Sequence, residues 1–109
     1  MIVINCLINL LFIFFSGFYI MLKIVVEFLG TMFLSFIIFS TGNYLAIGVA
    51  LAIVVLLGGP ISGGAYNPAV AIALFYAKKI QVVDLVPYII AEIAGGVAGY
   101  EMFKFANKY

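Results

Sequence analysis

The side chains able to do chemistry are few in this 109-residue chain. It has no histidine, a single cysteine (Cys6) and four acids, Glu27, Asp84, Glu92 and Glu101. A histidine metal site, a disulfide framework and a Cys–His nucleophile are therefore excluded, and an enzyme would have only carboxylates to work with. We read the chain as no enzyme, with no cofactor and no metal. Two of the acids stand inside long apolar runs, where a carboxylate costs roughly 2.5–3.5 kcal/mol at the centre of a membrane helix and less near its end. The other polar feature is the small-residue run Gly58-Gly59-Pro60-Ile61-Ser62-Gly63-Gly64-Ala65-Tyr66-Asn67-Pro68-Ala69-Val70. Asn is favoured as a helix N-cap and Pro at the first helical position, so Asn67-Pro68 reads as a helix start, with the helix over residues 69–77.

The elements that must position these groups are set by composition. At 68% hydrophobic and 8% charged residues, with a mean hydropathy of +1.37, the chain would aggregate rather than fold in water. An all-α integral, multi-pass membrane protein follows, with lipid as its surroundings. A net charge of +1 offers no basic patch for nucleic acid or for strong binding to anionic lipid. Three spans are expected, at residues 22–40, at 44–57 up to the Gly58-Gly59-Pro60 breaker, and at 82–103, with Thr41-Gly42-Asn43 as a turn between the first two. The 69–77 helix is too short to cross, since crossing takes about 20 apolar residues. It reads as a half-helix that leaves the membrane by the face its loop entered, and Lys78-Lys79 returns the chain to water. Irregular backbone at that depth is tolerated only inside protein or along a water-filled cavity.

Residues 1–20 are apolar apart from Asn5, Asn9 and Ser16, and are long enough to span. They lack the basic start of a secretory signal. Two readings stand: an extra span, or a misassigned start with translation beginning at Met21. The domains are then 1–20, an apolar N-terminal segment, and 21–109, a repeat.

Glu27 also has two readings. It either snorkels to the interface beside Lys23, four residues away, or faces inward and accepts hydrogen bonds from N–H groups left bare by the re-entrant loop. Glu92 has no basic residue at its depth, so it is protonated, bonded to exposed backbone, or facing water. Ile47, Gly48, Leu51 and Val55 recur on one helix face, which either packs or lines a pore. Ala91, Gly95 and Gly99 form a small-residue ridge for close helix packing.

The run Ser62 to Val70 resembles the pore loop of the aquaporin and aquaglyceroporin (major intrinsic protein) family. Supporting segments are Glu27-Phe28-Leu29-Gly30-Thr31 before it, Ala46-Ile47-Gly48-Val49-Ala50-Leu51-Ala52 in the next span, and Tyr88-Ile89-Ile90-Ala91-Glu92-Ile93-Ala94-Gly95-Gly96 after it. A bare Asn-Pro-Ala is weak, but four segments in order are specific, and they cover Met21 to about Tyr100. The resemblance implies one repeat of three transmembrane helices plus a re-entrant half-helix, where family channels carry two repeats, inverted. It implies that Asn67 caps its helix with its oxygen and offers its NH2 to a passing water or hydroxyl, and that Glu27 braces the loop. Glu92, where the family usually has Gln, is read as a second brace.

The chain departs from the family at its filter. Val70 stands where the family has an Arg after its second Asn-Pro-Ala, Ile47 and Val55 where aromatic or His positions are expected, Gly64 at the matching loop position, and Ala65 where His or Ser is common. The resemblance thus implies passive transport of water and small neutral, glycerol-like solutes through a pore of two inverted copies, lined by Gly64, Ala65, Asn67, Pro68, Ala69, Val70, Ile47 and Val55. Lys23, Lys78 and Lys79 fall on one face and Lys104 and Lys108 on the other, too even a split to fix orientation, so dual topology and a homo-oligomer are expected, with the Gly95/Gly99 ridges as contact faces of the pair. The alternatives are an accessory half-subunit that joins a full-length relative, or a non-functional remnant.

Overall fold

The computed structural model describes residues 1–108; Tyr109, the last residue of the expected repeat, lies outside them. Four helices follow one another: α1 (Ile2–Thr41), α2 (Tyr44–Ser62), α3 (Pro68–Tyr76) and α4 (Val82–Ala106). In lipid every backbone polar group must be paired internally, and an apolar chain does this as helix. Three of these helices are long and apolar enough to cross a membrane, whereas α3, with nine residues, is not.

Each boundary has a local cause. Gly42 ends α1 in the left-handed region (φ 55°), donating its N–H to the Ile38 carbonyl at 3.0 Å. Asn43 then caps α2, its Oδ1 accepting from Leu45 N at 2.9 Å and Ala46 N at 3.1 Å. The expected stop at Gly58-Gly59-Pro60 does not occur, and α2 continues to Ser62. Pro60 lacks only the N–H that would reach back to the Leu56 carbonyl, and in the last turn that single loss does not break a helix otherwise intact. Gly63, at φ 93°, is the actual stop.

The expected first span is also longer than anticipated. Residues 1–20 continue into α1 without a break, giving one 40-residue helix. At about 1.5 Å per residue it is about 60 Å long, which accounts for the 61 Å long axis of the molecule and is about twice a hydrocarbon core. Every residue from 1 to 20 is exposed; Tyr19 is tethered through its hydroxyl to the Ile61 carbonyl at 3.2 Å.

The bundle is built on α1 and α4, which run parallel in constant register. Lys23 pairs with Asp84 at 3.1 Å, and Ser35 Oγ donates to the Gly96 carbonyl at 2.8 Å, each pair separated by 61 residues. A Cβ at Gly95 would strike the Phe28 carbonyl, and one at Gly99 the Met32 carbonyl. The ridge is thus filled by α1 of the same chain, which corrects the expectation that it joins two copies. Phe39, Tyr100 and Phe103 close the far end of this contact. α2 packs against α1, while α3 packs against α4 and touches neither α1 nor α2.

The re-entrant loop and its carboxylate brace

The loop between α2 and α3 crosses the inside of the bundle, so its backbone needs partners there. Glu27 supplies them. Fully buried one turn along from Lys23, it accepts from Ser62 Oγ (2.6 Å) and Ala65 N (3.1 Å) on one oxygen and from Tyr66 N (2.6 Å) on the other. It does not snorkel beside Lys23, because that lysine bonds Asp84 instead. A carboxylate is the one common side chain that accepts only, on two oxygens, which suits three donors arriving from one loop.

The loop's shape is costly on its own. Gly63 and Gly64 have positive φ (93° and 68°), and so does Tyr66 (53°), where a side chain is strained by about 1–2 kcal/mol. Three contacts offset that strain. The Tyr66 N–H is held by Glu27, its hydroxyl donates to the Val54 carbonyl, and its ring lies against Gly30 and Gly58, where no side chain intervenes. Tyr88 adds a hydroxyl bond to the Ser62 carbonyl at 2.6 Å.

At the end of the loop Asn67 Oδ1 accepts from Ala69 N at 2.8 Å, and α3 begins at Pro68. From Asn67, α3 runs nine residues back toward Lys78-Lys79. That is about 14 Å along the helix, about half of a roughly 30 Å hydrocarbon core. Asn67 is exposed, and its NH2 has no hydrogen-bond partner among the described residues.

The remaining candidates divide between the open and closed sides of the loop. Asn67, Ala69, Val70 and Val55 are exposed, Pro68 and Ile47 half-buried. Gly64 sits against the α2 backbone at Gly59 and Val55, while Ile47 lies about two turns further along α2. Ala65 is buried with Ala71 and Tyr88, so its methyl group lines no open surface. Glu92 is buried on α4, with neither carboxyl oxygen in a hydrogen bond.

Sequence reasoning missed Asp84, Tyr66 and Tyr88 as structural anchors. Only Asp84 carried a signal, as an acid at the start of a span with a lysine at the start of another. A polar recess of about 210 Å3, lined by Tyr19, Lys23, Ser62, Lys79, Gln81 and Asp84, gathers at that end.

A model of the family described as major intrinsic protein matches residues 3–109, the N-terminal segment included. The chain is similar to glycerol uptake facilitator protein-like 6 of Lactiplantibacillus plantarum, at 38% identity over 93 residues, covering 77% of this chain and 43% of the relative. It is similar to aquaporin Z of Photorhabdus laumondii, at 33% over 90 residues, covering 69% and 39%. Aquaglyceroporin AqpS of Rhizobium meliloti is 37% identical over 57 residues, covering 52% and 24%. The chain spans less than half the length of each of these relatives.

Proposed function

The chain belongs to the major intrinsic protein family, and from that premise we propose that it forms a channel for water and small neutral solutes, its pore built from two inverted copies. The observation that carries this reading is the half-finished wall around Asn67. α3 starts near mid-depth, is covered on one side by α4 alone, and leaves the Asn67 NH2 without a partner among the described residues on an open face. Such backbone in a membrane needs protein or water beside it. A second copy, turned over, supplies the missing side and brings a second α3 N-terminus to the midplane. Two helix N-termini aimed at one point repel cations, hydronium among them, while two Asn NH2 groups donate to water or a hydroxyl.

The rim residues Val70, Val55 and Ile47 are aliphatic, so they hydrogen-bond no solute. We assign Gly64, Ala65, Asn67, Pro68, Ala69 and Val70 to the pore, Ala65 through its backbone, and Glu27 and Glu92 to the support behind it. A wide, weakly polar rim admits glycerol-sized solutes along with water.

Lys23 and Lys79 border the recess at one end of the bundle, and Lys104 pairs with Glu101 toward the other. This near balance favours insertion in both orientations. A reporter fused after residue 109 is expected on both sides of the membrane, and two or three lysines added nearby should drive it to one side and abolish transport. A reporter found on one side only in the unaltered chain removes the homodimeric pore, and leaves the open α3 face for a full-length relative.

A further inference from the structure

Behind the loop, two carboxyls meet where no cation reaches them. Glu27 and Glu92 are 0% and 1% exposed, and the parallel register that pairs Lys23 with Asp84 and Ser35 with Gly96 sets them on adjoining helices about one turn apart. Glu92 is the described residue whose side-chain oxygens are both buried and unbonded. The groups around the pair come from three elements. On α1 the neighbouring charge is Lys23, bonded to Asp84. From the loop come Ser62 Oγ, which is spent on Glu27, and the Asn67 N–H. On α4, Tyr88 gives its hydroxyl to the Ser62 carbonyl and Asp84 holds Lys23. Neither α2 nor α3 contains a charged residue. Lys104 is bonded to Glu101, and Lys78, Lys79 and Lys108 are exposed at the ends of the bundle.

We propose that Glu27 and Glu92 form a binding site for a single proton, shared between the two carboxyls on the closed side of the re-entrant loop. Two like charges buried about a turn apart in an apolar interior cannot both persist, and the one occupant small enough to need no further ligands is a proton. The proton belongs to the pair, but its resting place is set by the donors. Glu27 receives three of them on its two oxygens and is wired as the acceptor. Glu92 has only the Asn67 N–H nearby and no hydrogen bond from it, so it carries the O–H and presents it to Glu27. The site makes the loop's anchor sensitive to alkali. Losing the proton sets a second negative charge against the group that holds Ser62, Ala65 and Tyr66.

This inference does not depend on the chain conducting or pairing, and its test reads the carboxyls directly. In infrared spectra of the full chain in lipid at neutral pH, a protonated-carboxyl C=O band is expected that shifts in D2O. It should vanish in Glu92→Gln, move in Glu92→Asp, and disappear reversibly in the wild type as the pH is raised. Over the same rise the wild type should lose heat-stable protein while folded Glu92→Gln shows no such step. A neutral-pH spectrum from which Glu92→Gln removes no carboxyl band overturns the proposal. So does a wild type whose stability follows sodium concentration instead of pH, since the occupant is then a metal cation.

Discussion

Tyr66 occupies the space that a side chain at Gly58 would need: a Cβ built there runs into the Tyr66 hydroxyl. The same ring excludes a Cβ at Gly30 on α1, so one aromatic residue is gripped by two helices at positions kept bare. With its hydroxyl on the Val54 carbonyl and its N–H on Glu27, Tyr66 is the pin that fixes the loop's turn.

Gly58→Ala and Gly30→Ala are each expected to destabilise the fold by about 1–3 kcal/mol, the range for overpacking a close contact. Tyr66→Phe keeps the ring and should lose about 1 kcal/mol, the worth of one hydrogen bond. Heating the variants in detergent and following monodispersity checks the order. A Gly58→Ala protein as heat-resistant as Tyr66→Phe contradicts it.

Glu27→Leu leaves the Ala65 and Tyr66 N–H groups buried without acceptors, at about 1–3 kcal/mol each. Glu27→Gln retains one acceptor oxygen and should keep much of the fold. The yield of detergent-stable protein is expected to rank wild type, then Gln, then Leu; equal yields from both variants speak against an inward brace.

How much of this was legible in the sequence differs by element. Asn67-Pro68 announced the half-helix because capping is local chemistry, and the observed Pro68–Tyr76 lies within a residue of the expected span. The family motif around Asn67 and the acid at Glu27 pointed to the same loop. Tyr66 gave no sign of its role, because a positive φ and a contact with two distant glycines are properties of the folded backbone. The partner of Lys23 was left open for a related reason. Four-residue spacing offered Glu27, while the parallel register of α1 and α4 offered Asp84, which proximity in sequence cannot reveal.

That register has its own test. Asp84 is 3% exposed and pairs with Lys23 at 3.1 Å. Lys23→Met should leave the acid buried and uncompensated, a loss of about 3–5 kcal/mol for a buried pair. The double variant Lys23→Met/Asp84→Leu should recover most of it. A double-mutant cycle on thermal stability showing no coupling would place the two residues apart.

Gly95→Val puts branched carbon where the Phe28 carbonyl and Thr31 lie, 3.2 Å from the latter's Cβ even for a single added carbon. α1 and α4 are expected to separate, with the Ser35–Gly96 bond lost. A Cβ at Gly96 meets nothing within 4 Å, so Gly96→Val is the matched control, and on heating in detergent only Gly95→Val should lose monodispersity. Equal heat resistance of the two variants would show that the helices need no bare surface at Gly95.

The central claim is that this chain, with no other protein present, makes a pore. The most direct measurement is stopped-flow light scattering on liposomes containing only the purified chain, under inward glycerol and osmotic gradients. Glycerol and water are both expected to cross faster than in protein-free liposomes, with no added proton leak, and Val70→Trp, altering a side chain that is 42% exposed beside Asn67, should close the path without unfolding the protein. Glycerol and water rates equal to those of protein-free liposomes, from chain shown to be folded and inserted in both orientations, would contradict it.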